Sequence, residues 1–146
     1  MVQLAKVQSR QPAPALDGAR ILVVEDDFLI CLELETILAD AGAKAVVLAR
    51  TVADGLKLAG NGALDAAILD VRIGGKSVAP VARGLAARGL PFLFYTGQVE
   101  TDPIRQEWPE CRIVAKPARA PVLVNAVAEL IDTHAGERSK PARRAL

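Results

Sequence analysis

Short apolar runs alternate along the chain with longer stretches in which apolar residues recur at three- and four-residue steps. The runs cover residues 20–24, 44–49, 64–69, 91–95 and 112–115. They are rich in branched side chains and lack strict alternation, as expected of strands buried on both faces. Between the first two, Phe28, Cys31, Leu32, Leu34, Ile37 and Leu38 predict a helix over 27–41, ended by Gly42. Thr51, with Asp54 three residues later, predicts an N-cap for a helix reaching Ala59, stopped by Gly60-Asn61-Gly62. Further helices are expected over 78–88, with Ser77 as cap and Gly89 as stop, weakly around 104–108, and over 119–133. In the last, Val122, Leu123, Val127, Leu130 and Ile131 share one face. Residues 71–76 and 97–103 read as loops. A strand–helix alternation repeated five times through short loops implies an α/β fold, a doubly wound five-stranded parallel sheet with helices on both faces. Order 2-1-3-4-5 is the common solution at this size.

Composition refines this picture without changing it. A length of 146 residues fits one domain. Residues 1–18 are expected to be a flexible lead, 19–133 the folded unit and 134–146 a basic tail. Apolar residues make up 51% of the chain but aromatics only 3%, so the core must be built from Val, Leu, Ile and Ala. The net charge of +1 argues against a general nucleic-acid binder. It divides into +1 over residues 1–18, +3 over 134–146 and therefore −3 between them. Cys31 and Cys111 form no CxxC pattern and read as two buried thiols in a reducing compartment. No run reaches the roughly 18 apolar residues of a membrane span. Polar residues interrupt any signal-like segment at the N-terminus. A cytoplasmic location is expected.

The chemistry concentrates at one edge. Asp26-Asp27, Asp70, Thr96 and Lys116-Pro117 each fall at the carboxyl end of an apolar run. In an open parallel sheet those ends form a single edge, where ligands bind. Three carboxylates, one hydroxyl and one ammonium would converge there, a set suited to a divalent cation and a phosphoryl group.

With these residues in this order, the stretch from about residue 19 to 133 resembles the receiver domains of two-component response regulators, CheY-like and flavodoxin-like in fold. Phe94-Tyr95-Thr96-Gly97 partly resembles a subgroup with an F-x-T-G element. The resemblance implies that Asp70 is the phospho-acceptor. It implies that Asp26, Asp27, Asp70 and the backbone carbonyl of Arg72 hold Mg²⁺ (Mn²⁺ as a substitute), with Asp26 acting mostly through water. Lys116 would pair with Asp70 and then with a phosphoryl oxygen, and Thr96 would donate its hydroxyl to the phosphoryl group. Arg72 and Gln98 would tune dephosphorylation. Many receivers carry an aromatic switch residue three positions before the lysine; here that position is Ile113.

The implied function is a stand-alone switch, phosphorylated by a sensor histidine kinase or a histidine phosphotransfer protein, and signalling through protein contacts or phosphorelay. His134, the sole histidine, reads as a solvated tail residue, so the phosphoryl donor would be another protein. Trp108 is expected to be partly buried. The tail is too short for a DNA-binding helix-turn-helix domain, and a monomer or weak dimer is expected. One rival is a degenerate receiver acting only as an interaction module. The other is a small Mg²⁺-dependent phosphohydrolase, disfavoured because Arg72 stands where such enzymes usually place an acid.

Overall fold

The computed structural model describes residues 14–97 and 102–138. Five strands, β1 (Arg20–Val24), β2 (Ala45–Ala49), β3 (Ala66–Leu69), β4 (Phe92–Thr96) and β5 (Ile113–Ala115), form one parallel sheet. Its order is 2-1-3-4-5. The helices are α1 (Phe28–Asp40), α2 (Val52–Ala59), α3 (Ala79–Ala87), the single turn α4 (Ile104–Glu107) and α5 (Ala120–Arg138). This is the doubly wound, flavodoxin-like receiver fold that the strand–helix alternation implies.

The pleat sorts side chains into two cores. Leu22 and Val24 of β1, Ala67 and Leu69 of β3, and Phe92 and Phe94 of β4 face Val81, Ala82 and Leu85 of α3 and Ile104 of α4. Their alternate neighbours Ile21, Val23, Ile68, Leu93 and Tyr95 face Leu34 and Leu38 of α1 and Leu123, Ala126 and Val127 of α5. Burial on both faces explains why these strands carry continuous apolar runs.

Side chains cap two helix starts, one of them as expected. The Thr51 hydroxyl accepts from the Asp54 N–H at 3.0 Å to begin α2. The Asp27 carboxylate accepts from the N–H groups of Leu29 (2.9 Å) and Ile30 (3.2 Å) to begin α1. Ser77 Oγ accepts from Ala79 N at 3.1 Å, but the cap position of α3 is Val78 rather than the expected Ser77, and no side chain caps it. Trp108, directly after α4, is half-buried and meets Phe92 edge-on at 5.8 Å.

Three expectations are corrected. Part of the supposed flexible lead belongs to the fold: Leu16 is buried in the α1–α5 core. It is tied down because Leu16 N donates to Ala41 O and Gly18 N to Gly42 O. Gly42 has φ of 103°, and a Cβ there would lie 2.7 Å from Pro14 Cβ, so the helix stop also makes room for this segment. The last helix continues past residue 133, so His134 sits half-buried on α5 rather than in a solvated tail. The segment 71–76, read as loop, instead forms with Ser77 a small antiparallel hairpin, Arg72–Ile73 against Lys76–Ser77. Gly74 and Gly75 supply positive φ at both turn positions, as a tight two-residue hairpin requires. Gln98 and the tail from residue 139 lie outside the described residues. No helix among the described residues is long and apolar enough to cross a membrane.

Two outcomes follow. Asp27→Ala should lower stability by about 1 kcal/mol through loss of the α1 cap, read by urea unfolding, whereas Asp27→Asn should be nearly neutral. Cys31 is buried, and burial pushes the Cys111 thiol up to about 12. A disulfide-exchange reagent at pH 8 should therefore leave both thiols unmodified in the native chain and react with both after unfolding.

Candidate functional site

The ladder of the sheet continues one residue beyond three of its strands, and that extension builds the site. Glu25 N donates to Ala49 O, Asp70 N to Val24 O and Lys116 N to Thr96 O, each at 3.0 Å. Glu25, Asp70 and Lys116 are thus the first residues past β1, β3 and β5, with their backbones fixed by neighbouring strands. Thr96 ends β4 and is buried.

Lys116 organises the centre. Its Nζ donates to Asp70 Oδ2 at 2.7 Å and to Glu25 Oε1 at 2.6 Å, and lies 5.7 Å from the centroid of the Tyr95 ring. The Lys116–Pro117 peptide is cis. Burial alone would lower the lysine pKa, but the hydrogen bonds that Lys116 donates to Asp70 and Glu25, with their charges, outweigh it, and the net shift is upward. The ammonium therefore stays charged. Glu25 is only 2% exposed, and burial raises its carboxyl pKa against the opposing pull of Lys116. Its second oxygen accepts from Asp27 N at 3.1 Å.

Carboxylate oxygens of Glu25, Asp26 and Asp70 lie within 4.8 Å of one another. Asp26 Oδ2 accepts from Gly74 N in the hairpin turn at 2.8 Å, and this bond holds the Asp26 carboxyl below the usual carboxylate range. Asp70 Oδ1 accepts from Val71 N at 2.8 Å. The arrangement is an all-oxygen donor set carrying three negative charges against one ammonium, which fits a hard divalent cation such as Mg²⁺.

The acid pair expected at Asp26 and Asp27 is therefore shifted by one residue. Asp27 stands outside the carboxylate group because its Oδ1 is committed to the α1 cap, and Glu25 takes the inner place beside Lys116. The shift was readable from the chain. Counted from the strand ends, Asp70 follows Leu69 and Lys116 follows Ala115 directly; by the same count the first acid is Glu25, directly after Val24. The third acid, immediately before a helix, is the natural cap.

The side-chain partners of Arg50 and Arg72 had no sequence signal. Arg50, directly after β2, donates from Nη2 (3.1 Å) and Nε (3.4 Å) to the Asp26 carbonyl. Its guanidinium lies 5.3 Å from the Phe28 ring centroid. Arg72 Nε pairs with Asp102 Oδ2 at 2.8 Å. Ile113, at the expected aromatic position, is half-buried on β5 against the α3-side core.

No family model matches the chain, and no curated protein matches it in sequence. Solved structures do. SdrG from Sphingomonas melonis Fr1 is 37% identical, with 78% of this chain covering 97% of that one at a TM-score of 0.63. A CheY-like response regulator receiver domain protein from Methanospirillum hungatei JF-1 is 22% identical, covering 83% of this chain and 99% of that one at 0.74. The receiver domain of the sensor histidine kinase PA1611 from Pseudomonas aeruginosa PAO1, solved with a magnesium ion coordinated in its active-site cleft, is 22% identical. That match covers 79% of this chain and 98% of the other at 0.69. With the carboxylate–lysine cluster at the carboxyl edge of a 2-1-3-4-5 sheet, these likenesses lead to one conclusion: the chain belongs to the CheY-like response regulator receiver domains.

Proposed function

We propose that this chain is a phosphorylatable switch whose acceptor is Asp70. The observation that carries the reading is the single ammonium of Lys116 held between Asp70 and Glu25, beside Asp26, at the sheet edge. An Asp70 oxygen attacks the phosphorus of a phosphohistidine on a sensor histidine kinase or histidine phosphotransfer protein. The new O–P bond gives an acyl phosphate, the P–N bond breaks, and the donor imidazole keeps the electron pair and takes up a proton.

Mg²⁺, held by Asp26, Asp70 and the Arg72 carbonyl, would offset the repulsion between these carboxylates and the incoming phosphoryl oxygens. Lys116 exchanges part of its contact with Asp70 for a phosphoryl oxygen, remaining anchored by Glu25. That anchor is the role of the buried Glu25, both of whose oxygens already have partners. Arg50 steadies the acid turn through the Asp26 carbonyl. Thr96 turns its hydroxyl to the phosphoryl group. Catalysis is then positioning plus charge neutralisation, with self-catalysed hydrolysis of the acyl phosphate ending the signal. Gln98, with Arg72, tunes that lifetime. The chain acts in the cytoplasm and signals through protein contacts or by passing the phosphoryl group onward.

With acetyl phosphate as donor, wild type should gain one phosphoryl group by intact-mass spectrometry only when Mg²⁺ is present, and Asp70→Asn should gain none. Modification without Mg²⁺, or retained in Asp70→Asn, contradicts the reading. Calorimetric titration should separate the acids: Asp26→Asn should weaken Mg²⁺ binding about tenfold or more, and Asp27→Asn should leave it nearly unchanged. The reverse order would restore Asp27 to the metal site.

A further inference from the structure

We infer that the Arg72–Asp102 ion pair couples the acceptor loop to α4, so that the state of Asp70 is read out at α4 through this pair. The inference rests on the phospho-acceptor reading above and specifies how that site is regulated. Asp102 is a charged side chain that is only 7% exposed. Both of its oxygens are in use. Oδ2 pairs with Arg72 Nε at 2.8 Å, and Oδ1 accepts from Ile104 N at 3.0 Å, at the first residue of α4. The Asp102 carbonyl also accepts from Arg105 N. One buried residue thus both begins α4 and neutralises its own charge on Arg72. A buried carboxylate that loses its cationic partner is costly, so α4 is bound to follow Arg72.

Arg72 is itself close to the site along the chain. It lies two residues after Asp70, in the short hairpin whose turn residue Gly74 donates to the Asp26 carboxylate. A hairpin of two-residue strands closed by Gly74-Gly75 is small and moves as a unit. Rearrangement of Asp26 and Asp70 around a phosphoryl group pulls on both of its ends. The far side of α4 is equally tied: Arg83 on α3 makes two hydrogen bonds to Glu107, and Trp108 packs on Phe92. Ile113 has neither the ring nor the hydroxyl by which an aromatic at that position could carry the change, and the ion pair supplies a second physical link between the same two regions.

Trp108 is the only tryptophan and directly follows α4, so its emission reports on this helix. The test adds Mg²⁺ and beryllofluoride to wild type, Asp102→Asn and the double variant Arg72→Met/Asp102→Asn. Bound beryllofluoride is followed by fluorine NMR and Trp108 by emission. Asparagine can still cap Ile104, and the double variant leaves no unpaired charge, so folding is protected in two ways. Expected is a Trp108 change in wild type that is mostly lost in Asp102→Asn although beryllofluoride binds, with no further loss in the double variant. Bound beryllofluoride with a full Trp108 change in Asp102→Asn overturns the inference, as does bound beryllofluoride without any Trp108 change in wild type. If wild type binds no beryllofluoride, the acceptor reading itself fails and takes this inference with it.

Discussion

One ammonium between two carboxylates is the constraint on which the site depends. Glu25 and Asp70 leave adjacent strands at the same edge, close enough that their charges repel, and Asp26 adds a third. Lys116 arrives from β5 and contacts both, and its charge is held in place by the same carboxylates it neutralises. Glu25 is the more buried partner, its side chain 3% exposed against 14% for Asp70. Net negative charge remains, an arrangement that suits a hard divalent cation. The parallel sheet makes this possible by presenting the ends of β1, β3 and β5 at one edge, with Glu25, Asp70 and Lys116 each hydrogen-bonded through the backbone to the neighbouring strand.

Much of this was legible in the chain because burial on both faces writes a strand as an uninterrupted apolar run. β1 and β4 were readable for that reason, as was α2 through its Thr51 cap. Asp70, Thr96 and Lys116 could be placed at the sheet edge because each directly ends or follows a run. The acid turn was misread by one residue because Glu25-Asp26-Asp27 offers three carboxylates and the composition of the triplet does not say which one caps the helix. Only the strand boundary at Val24 decides it. Leu16 was lost in a segment of Gln, Pro and Ala because its burial depends on a pocket made by the end of α1, a contact with no local pattern. Arg50, Gly74 and Asp102 were invisible for the same reason: their partners lie 24, 48 and 30 positions away.

The hairpin after Asp70 gives this receiver a distinct wiring. Its turn reaches back to Asp26, and its first strand reaches sideways through Arg72 to the start of α4. Asp26 and the start of α4 are therefore both tied to one small element.

The central claim, that the ammonium-held carboxylate at position 70 is the nucleophile, is tested most directly by trapping the acyl phosphate. After phosphorylation with acetyl phosphate and Mg²⁺, borohydride reduction converts an aspartyl phosphate to homoserine, and peptide mass spectrometry locates it. The account predicts homoserine at position 70 alone and none when Mg²⁺ is withheld. Homoserine at position 26 or 27, or no reducible phosphate at all, would contradict it.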